Sequence, residues 1–497
     1  MYLRLIDWDD WFKYATTYSV DYVDAFGDRH QIGNTKIGKF GLKPAGRGDG
    51  VPGVARHPAP PEAFKTLPRD FFSVGQDSDF YEELTELGDH IRDAVLKGLR
   101  DVAFLPHLLE KAAKEDVTKV SLLRYVPLLT VQEQFTRLAR GGARLTPYDL
   151  GYRLKYLEGA PRVTFAVVPE SIPPTNIHVI VGRNGVGKST FLNKLAAFHV
   201  KKSREESDDS DAVVSNLVSV SFSAFDSFEP LSVPQDRTKG LTYHYVGLKR
   251  VGASKEESDR IKGPRAIASE MTKSARACLQ GARRARWVRA LRLLESDPIF
   301  SAAGIADAAD PVSSEGVEDE DTLDSISATF KRLSSGHKLV LLTVTRLVET
   351  VSEKSLVLLD EPEAHLHPPL LSAFVRALSD LLVNRNGIAI MATHSPVVLQ
   401  EVPRSCVWKI DRVGDTARVS RPTIETFGEN VGTLTNEIFG LEVVSTGFHR
   451  ILREVAEKHA TEGYEAALAA IGGEVGTEGR SILRSLVDVL GRQNVER

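Results

Sequence analysis

Cysteine is nearly absent: Cys278 and Cys406 are the only two in 497 residues. That is too few for a disulfide framework or a zinc cage, and it fits a reducing cytosol. No apolar run approaches the roughly 20 residues needed to cross a bilayer, and the start MYLRLIDWDDW does not have the build of a signal peptide. The expectation is a cytoplasmic protein with no membrane partner. A net charge of -4 excludes a uniformly basic nucleic-acid binder, although a local patch remains open. What the chain does have is 42% hydrophobic residues, enough to fill the cores of two or three domains at this length.

The most informative stretch is GRNGVGKST, Gly182 to Thr190. It follows an apolar run, Asn176 to Val181, and opens into the helix-like FLNKLAAF, which gives strand, phosphate loop and helix in succession. Gly182, Gly185 and Gly187, spaced by Arg183, Asn184 and Val186, let successive backbone N–H groups converge on phosphate oxygens, and the helix adds its positive N-terminal end. Lys188 is placed to reach the β- and γ-phosphates, and the Ser189 hydroxyl to ligate Mg²⁺, with Thr190 closing the loop. Alone, the loop says only that a nucleotide binds.

Three later segments narrow the reading. LSSGHK spans Leu333 to Lys338; SLVLLDEPEAHLHP, Ser355 to Pro368, is a buried strand ending in the acidic pair Asp360 and Glu361; GIAIMATHSP, Gly387 to Pro396, is another apolar strand with His394 just past its end. Ligands of open α/β sheets sit outside the carboxyl ends of the strands, so these strand ends point to one crevice. The four motifs in this order resemble the ATP-binding-cassette type of ATPase head, in the branch with the SMC, RecF and OLD-like proteins and the AAA_15/AAA_21-type ATPases. The resemblance covers roughly residues 161 to 441.

The resemblance implies an ATPase using ATP and Mg²⁺. Asp360 would hold Mg²⁺ through its water shell, Glu361 would polarise the attacking water, and His394 would be the switch histidine at the γ-phosphate. Ser335 and Gly336 would touch the nucleotide of another subunit, so the chain would pair with itself as a dimer or higher oligomer. Two departures stand out. Ser335 and His337 replace the glycine and glutamine of the transporter signature LSGGQ. No clear glutamine loop follows the strand-like Ala212 to Ser223, where Ser223 or Asp226 is the substitute. His365 and His367, two residues apart with no nearby cysteine, make a weak metal signal and read instead as a subunit-contact loop.

The fold class expected is α/β, an ABC-ATPase head of P-loop type with a helical insertion, an N-terminal α+β module and a C-terminal helical tail. The divisions are 1–160 for the module, 161–442 for the head with its insertion at about 240–330, and 443–497 for the tail. The module opens with a β-meander, followed by a Gly/Pro-rich loop, Leu42 to Pro61, and segments of helical spacing. Its Asp21, Asp24 and Lys36 have the residue types of a two-metal nuclease, but on a hairpin they read first as a solvated face.

The insertion holds Arg283, Arg284, Arg286, Trp287 and Arg289. Such a helix reads first as a solvated arginine face with Leu291, Leu293 and Leu294 inward; the alternative is a face that tracks phosphates with Trp287 stacked on a base. Without sustained heptads it is too short for SMC or RecN arms, and a compact lid or dimerisation helix pair is the better expectation. The segment TFGENVGTLTNEIFGL resembles the close of the head in Septu-type and retron-associated antiphage ATPases. The tail is too short for the toprim nuclease domain of OLD proteins. The implied function is an ATPase that gates a partner effector, such as a nuclease, in bacterial antiphage defence. The alternatives are a RecF-like DNA-binding repair factor and a transporter's energising subunit.

Overall fold

The structure, a computed structural model, describes residues 1–6, 13–24, 26–44, 57–124, 126–142, 145–154, 161–202, 214–221, 230–231, 241–250, 261–280, 282–310, 319–413, 416–439 and 447–495. Ser223 and Asp226, the acidic run SREESDDSD from Ser203 to Asp211, and most of the Gly/Pro-rich loop lie outside the described residues.

The N-terminal strands β1 (Tyr2–Leu5), β2 (Thr17–Val23), β3 (Arg29–Lys39) and β4 (Phe71–Gly75) form an antiparallel sheet in chain order. Helix α1 (Ser78–Glu86) and the helical segments through Leu138 close one core over it, built on Phe72, Phe80, Tyr81, Leu96 and Phe135. A hairpin follows, β5 (Tyr148–Arg153) with β6 (Arg162–Val167). Leu150 and Leu154 pack with Phe165 and the phosphate-loop helix, so a boundary at residue 160 falls inside this hairpin, and residues 148–153 belong with the head.

The head is a seven-stranded sheet of β7 (Ile177–Val181), β8 (Asn216–Ser221), β9 (Thr242–Gly247), β10 (Ser355–Asp360), β11 (Ile388–Thr393), β12 (Val407–Val413) and β13 (Thr416–Ser420). Its spatial order is β13-β12-β7-β11-β10-β8-β9, with every neighbouring pair parallel except β12 with β13. Both faces are covered, so the strands read as continuous apolar runs rather than alternating ones. Val357, Leu359, Ala389 and Met391 face one core, and Leu356, Leu358, Ile388 and Ile390 the other.

Helix α2 (Lys188–Lys202) lies on the second face. The first face carries α3 (Pro264–Cys278), α4 (Ala282–Leu294), α5 (Asp319–Arg332), α6 (Ser335–Thr350) and α7 (Pro368–Asn384). The inserted tract is therefore part of the head's largest core, not a lid. Met271, Cys278, Trp287, Leu291 and Leu294 are all buried there, and β9, at the start of the tract, is a strand of the main sheet.

The module docks on the amino ends of the head's strands. Arg137 pairs with Glu353 at 2.6 Å and Glu133 with Lys354 at 3.2 Å, both just before β10, while Asn386 before β11 donates to the Thr146 carbonyl. Three tail helices, α8 (Gly447–Lys458), α9 (Tyr464–Ala470) and α10 (Thr477–Val495), share a small core of Leu452, Ala456, Ala467, Leu483 and Val487.

Candidate nucleotide site

Four parallel strands end level with one another. Val181 of β7 stands opposite Thr393 of β11, Ala392 opposite Asp360 of β10, and Asp360 opposite Ser221 of β8. The residues that follow these ends are the phosphate loop, His394, Glu361 and the stretch after Ser221. That is the crevice where open parallel sheets bind ligands.

Gly182 leaves β7, and the loop turns through Gly185 at φ +79° and Gly187 at φ +101°, conformations that favour glycine. An added Cβ would meet nothing within 4 Å at either position, so both open onto free space where phosphate oxygens can approach. Arg183, Val186, Gly187 and Ser189 are half-buried, and Asn184, Gly185 and Thr190 exposed. Lys188 is buried and folds back, donating from Nζ to the carbonyls of Gly182 at 3.0 Å and Arg183 at 3.1 Å. Burial lowers its pKa, an effect opposed by the negative charge of Glu361, Glu363 and Asp360. The three acids and the lysine thus form one electrostatic cluster.

Glu361 has its backbone in the left-handed region, φ 45° and ψ 57°, where a non-glycine residue is strained. Its N–H donates to the Ala392 carbonyl at 2.9 Å, which fixes the turn against β11. Its carboxylate lies 3.8 Å from His394 Nδ1. Both side chains are about two-fifths exposed, at 39% and 40%, so each borders the crevice and solvent.

A third acid, Glu363, was passed over in the sequence although it stands in the same DEPE run. Its Oε1 accepts from Thr393 Oγ1 at 2.6 Å and from the His394 N–H at 2.9 Å, and lies 3.3 Å from His394 Nδ1. Three acids in four residues next to a strand end were the available signal.

The signature segment starts α6. Ser334 caps the helix, accepting from the His337 N–H, and Ser334 and Ser335 are exposed. Gly336 is buried so closely that a Cβ would stand 2.5 Å from the His365 carbonyl, so the signature loop packs on the turn after the acidic pair. Asp297, also missed in the sequence, fastens that packing. Its Oδ1 lies 3.1 Å from His337 Nε2 and its Oδ2 3.4 Å from His367 Nε2. The same carboxylate caps the helix Pro298–Ala303 through the N–H groups of Ile299 and Phe300.

The trio Asp297, His337 and His367 has the residue types of a metal site. However, His367 Nδ1 accepts the Leu370 N–H at 3.3 Å, so the ring's hydrogen sits on Nε2 and points at Asp297. A hydrogen, not a lone pair, faces the centre of the trio. His365 is exposed.

Trp287 rules out the phosphate-tracking alternative of the sequence reading. It is fully buried and donates from Nε1 to Thr345 Oγ1 at 3.0 Å, so no base can stack on it. Arg286 is held by Asp77 at 2.5 Å and Asp79 at 3.2 Å, Arg284 by Asp319 at 3.2 Å, and Arg289 by Asp380 at 2.5 Å. Arg283 lines a cleft between module and head with Lys36 and Asp79. These arginines join parts of the fold instead of forming an open phosphate track.

The acids and lysine of the module do not converge either. Asp21 pairs with Arg29 at 2.6 Å, Asp24 closes the β2–β3 turn by accepting the Phe26 and Asp28 N–H groups, and Lys36 is buried, donating to the Ser121 carbonyl at 2.8 Å.

A parallel sheet with a phosphate loop at one strand end and an acidic pair at another defines a P-loop ATPase of the ABC/AAA type. The family model described as "AAA domain, putative AbiEii toxin, Type IV TA system" matches residues 287–400, which hold the signature, the acidic pair and His394. The chain is 38% identical over 511 residues to protein ea59 of Escherichia phage lambda, covering 98% of this chain and 94% of that protein, and it belongs to the ea59 family. A solved structure titled an inward-facing conformation of a putative metal-chelate type ABC transporter matches at a TM-score of 0.30 and 14% identity, over 59% of this chain and 89% of that one. A likeness that weak carries no argument. No helix among the described residues is long and apolar enough to cross a membrane.

Proposed function

We propose that the chain hydrolyses ATP at sites shared between two copies of itself, and that this cycle gates a partner effector, a nuclease, in antiphage defence. The observation that supports hydrolysis is the level alignment of the strand ends that carry Lys188, Asp360, Glu361 and His394. The donor set fits ATP with Mg²⁺. The open loop at Gly185 and Gly187 supplies N–H groups for phosphate, and Ser189 and Asp360 would hold the metal, which neutralises charge on the β- and γ-phosphates. Glu361 polarises water and His394 contacts the γ-phosphate.

Sharing between copies is supported by Ser334 and Ser335, exposed at the N-terminus of a 16-residue helix whose dipole favours an anion. A partner nuclease is supported by Asp21 and Asp24, which are engaged in an ion pair and a turn. The defence setting is supported by the resemblance to Septu-type and retron-associated ATPases. A phage-encoded relative suits a defence gene carried by a prophage against competing phages. A RecF-like DNA clamp would need a surface other than Trp287.

The test is phosphate release by the purified chain. Glu361→Gln should bind ATP as the parent does and turn over at least about a hundredfold more slowly, the scale of a lost general base. Unchanged turnover in Glu361→Gln removes Glu361 from the reaction.

A further inference from the structure

We propose that Glu363 is a positioning residue for the γ-phosphate contact, holding His394 so that its ring meets the nucleotide in one orientation. This rests on the reading of His394 given above.

His394 sits one residue beyond β11, where a strand normally passes into a loop free to shift. Here the passage is tied down. Thr393 Oγ1 accepts the Ser395 N–H at 2.9 Å while donating its own hydrogen to Glu363 Oε1 at 2.6 Å. The same oxygen accepts the His394 N–H at 2.9 Å. One carboxylate oxygen therefore fixes the backbone on both sides of the Thr393–His394 peptide. Hydrogen bonds to an ionised acceptor are roughly twice as strong as neutral ones.

The ring is oriented by the same group. Nδ1 lies 3.3 Å from Glu363 Oε1 and 3.8 Å from Glu361 Oε1, so its edge faces two anions and is favoured as the hydrogen-bearing side. Nδ1 makes no formed hydrogen bond among the described residues, as is common in sites that tighten around substrate. Nε2 is then left on the opposite edge of a ring that is 40% exposed. Glu363 itself is largely enclosed, with its side chain only 10% exposed, and Oε2 accepts no hydrogen bond among the described residues. A carboxylate oxygen without a partner among the described residues, beside a strained turn at Glu361, marks a group kept for function.

The division of labour in DEPE follows. Asp360 and Glu361 face the nucleotide, and Glu363, carried round by the short 3₁₀ turn Pro362–His365, reaches back to the neighbouring strand end. The acidic pair and the switch histidine are thereby one mechanical unit, although 33 residues separate Glu361 from His394.

The experiment is a double-mutant cycle on steady-state ATP hydrolysis with the full chain, using Glu363→Gln, Glu363→Ala, His394→Ala and the combinations. Glu363→Ala should lower kcat about tenfold to a hundredfold, the scale of losing hydrogen bonds to a charged acceptor, with little change in KM. Glu363→Gln, which keeps a neutral acceptor for Thr393 and His394, should fall between it and the parent. In the His394→Ala background neither substitution should matter further. An equal loss with and without His394 overturns the proposal, because Glu363 would then act on its own. Parent-like kcat in both Glu363 variants also overturns it. If His394→Ala alone turns over at the parent rate, the reading of His394 falls instead. Glu363→Gln keeps the test open should Glu363→Ala fail to fold.

Discussion

Lys188 and Trp287 show how far a residue can be read from its neighbours in sequence. Lys188 is placed by glycines within six positions of it, and its back-folded bonds to Gly182 and Arg183 stay inside that loop. Loss of its charge should show directly in binding. ATP should raise the unfolding temperature of the parent, by an amount set by how far its concentration exceeds Kd, and leave Lys188→Ala nearly unmoved in differential scanning fluorimetry. Trp287 sits among arginines in sequence, yet its partner is Thr345 and the counter-charges of Arg286 and Arg289 are Asp77, Asp79 and Asp380. A mixed run of arginine and leucine reads as an exposed face when its carboxylates lie about 90 to 200 residues away. Trp287→Ala should cost about 3–5 kcal/mol in urea unfolding, the range for deleting a buried aromatic ring. A Trp287→Ala chain as stable as the parent would contradict its place in the core.

At the scale of elements, α4 and α7 lie against each other and are pinned at both ends. Near one end, Asp297 draws in His367, the cap of α7, and His337 of the signature. At the other, Asp77 of the module is shared by Arg286 of α4 and Arg385 at the close of α7, at 2.5 and 2.9 Å. With 17 residues, α7 spans roughly 25 Å, so the signature and the module are joined by one helix pair. Burial raises the Asp77 pKa, but the two guanidiniums outweigh it and hold the carboxyl well below its usual range.

A carboxylate lowered in the folded state gives stability that is complete above its unfolded pKa, near 3.9, and lost as pH falls through the folded value. The Asp77 contribution to docking should thus be indifferent to pH from about 5 to 8 and weaken only in strong acid. Asp77→Ala should cost about 3–5 kcal/mol, since it leaves the buried Arg385 without its carboxylate and Arg286 with Asp79 alone, and should flatten the acid limb of the stability curve. An unaltered acid limb in Asp77→Ala would show that the pair is not held this way. These long-range clamps were not legible in the sequence, whereas the convergence of the motif-bearing strand ends on one crevice was. Each of its strands is an apolar run ending in a motif, and motif order with strand ends fixes the crevice. The β5–β6 hairpin was divided wrongly because its two strands alternate like any surface pair, and only packing against α2 shows which core owns them.

For the whole molecule, the candidate nucleotide crevice is at the carboxyl ends of the sheet and the module at the amino ends, so the module lies remote from that crevice. Asp21 and Asp24 are engaged in an ion pair and a turn, and the purified chain should not cut DNA with Mg²⁺ or Mn²⁺, with or without ATP. Cleavage abolished by Asp24→Ala while ATP turnover persists would place a nuclease in the module and remove the need for a partner.

The central claim is that two copies build each ATP site, one giving Lys188, Asp360, Glu361 and His394 and the other Ser335 and Gly336. The most direct measurement mixes Lys188→Ala chains with Ser335→Arg chains and follows phosphate release. Each variant alone should be inactive, and the mixture should recover part of the parent rate, because a mixed pair contains one intact composite site. Mixed oligomers that form, as seen by co-purification of differently tagged chains, yet release no phosphate would contradict the shared site.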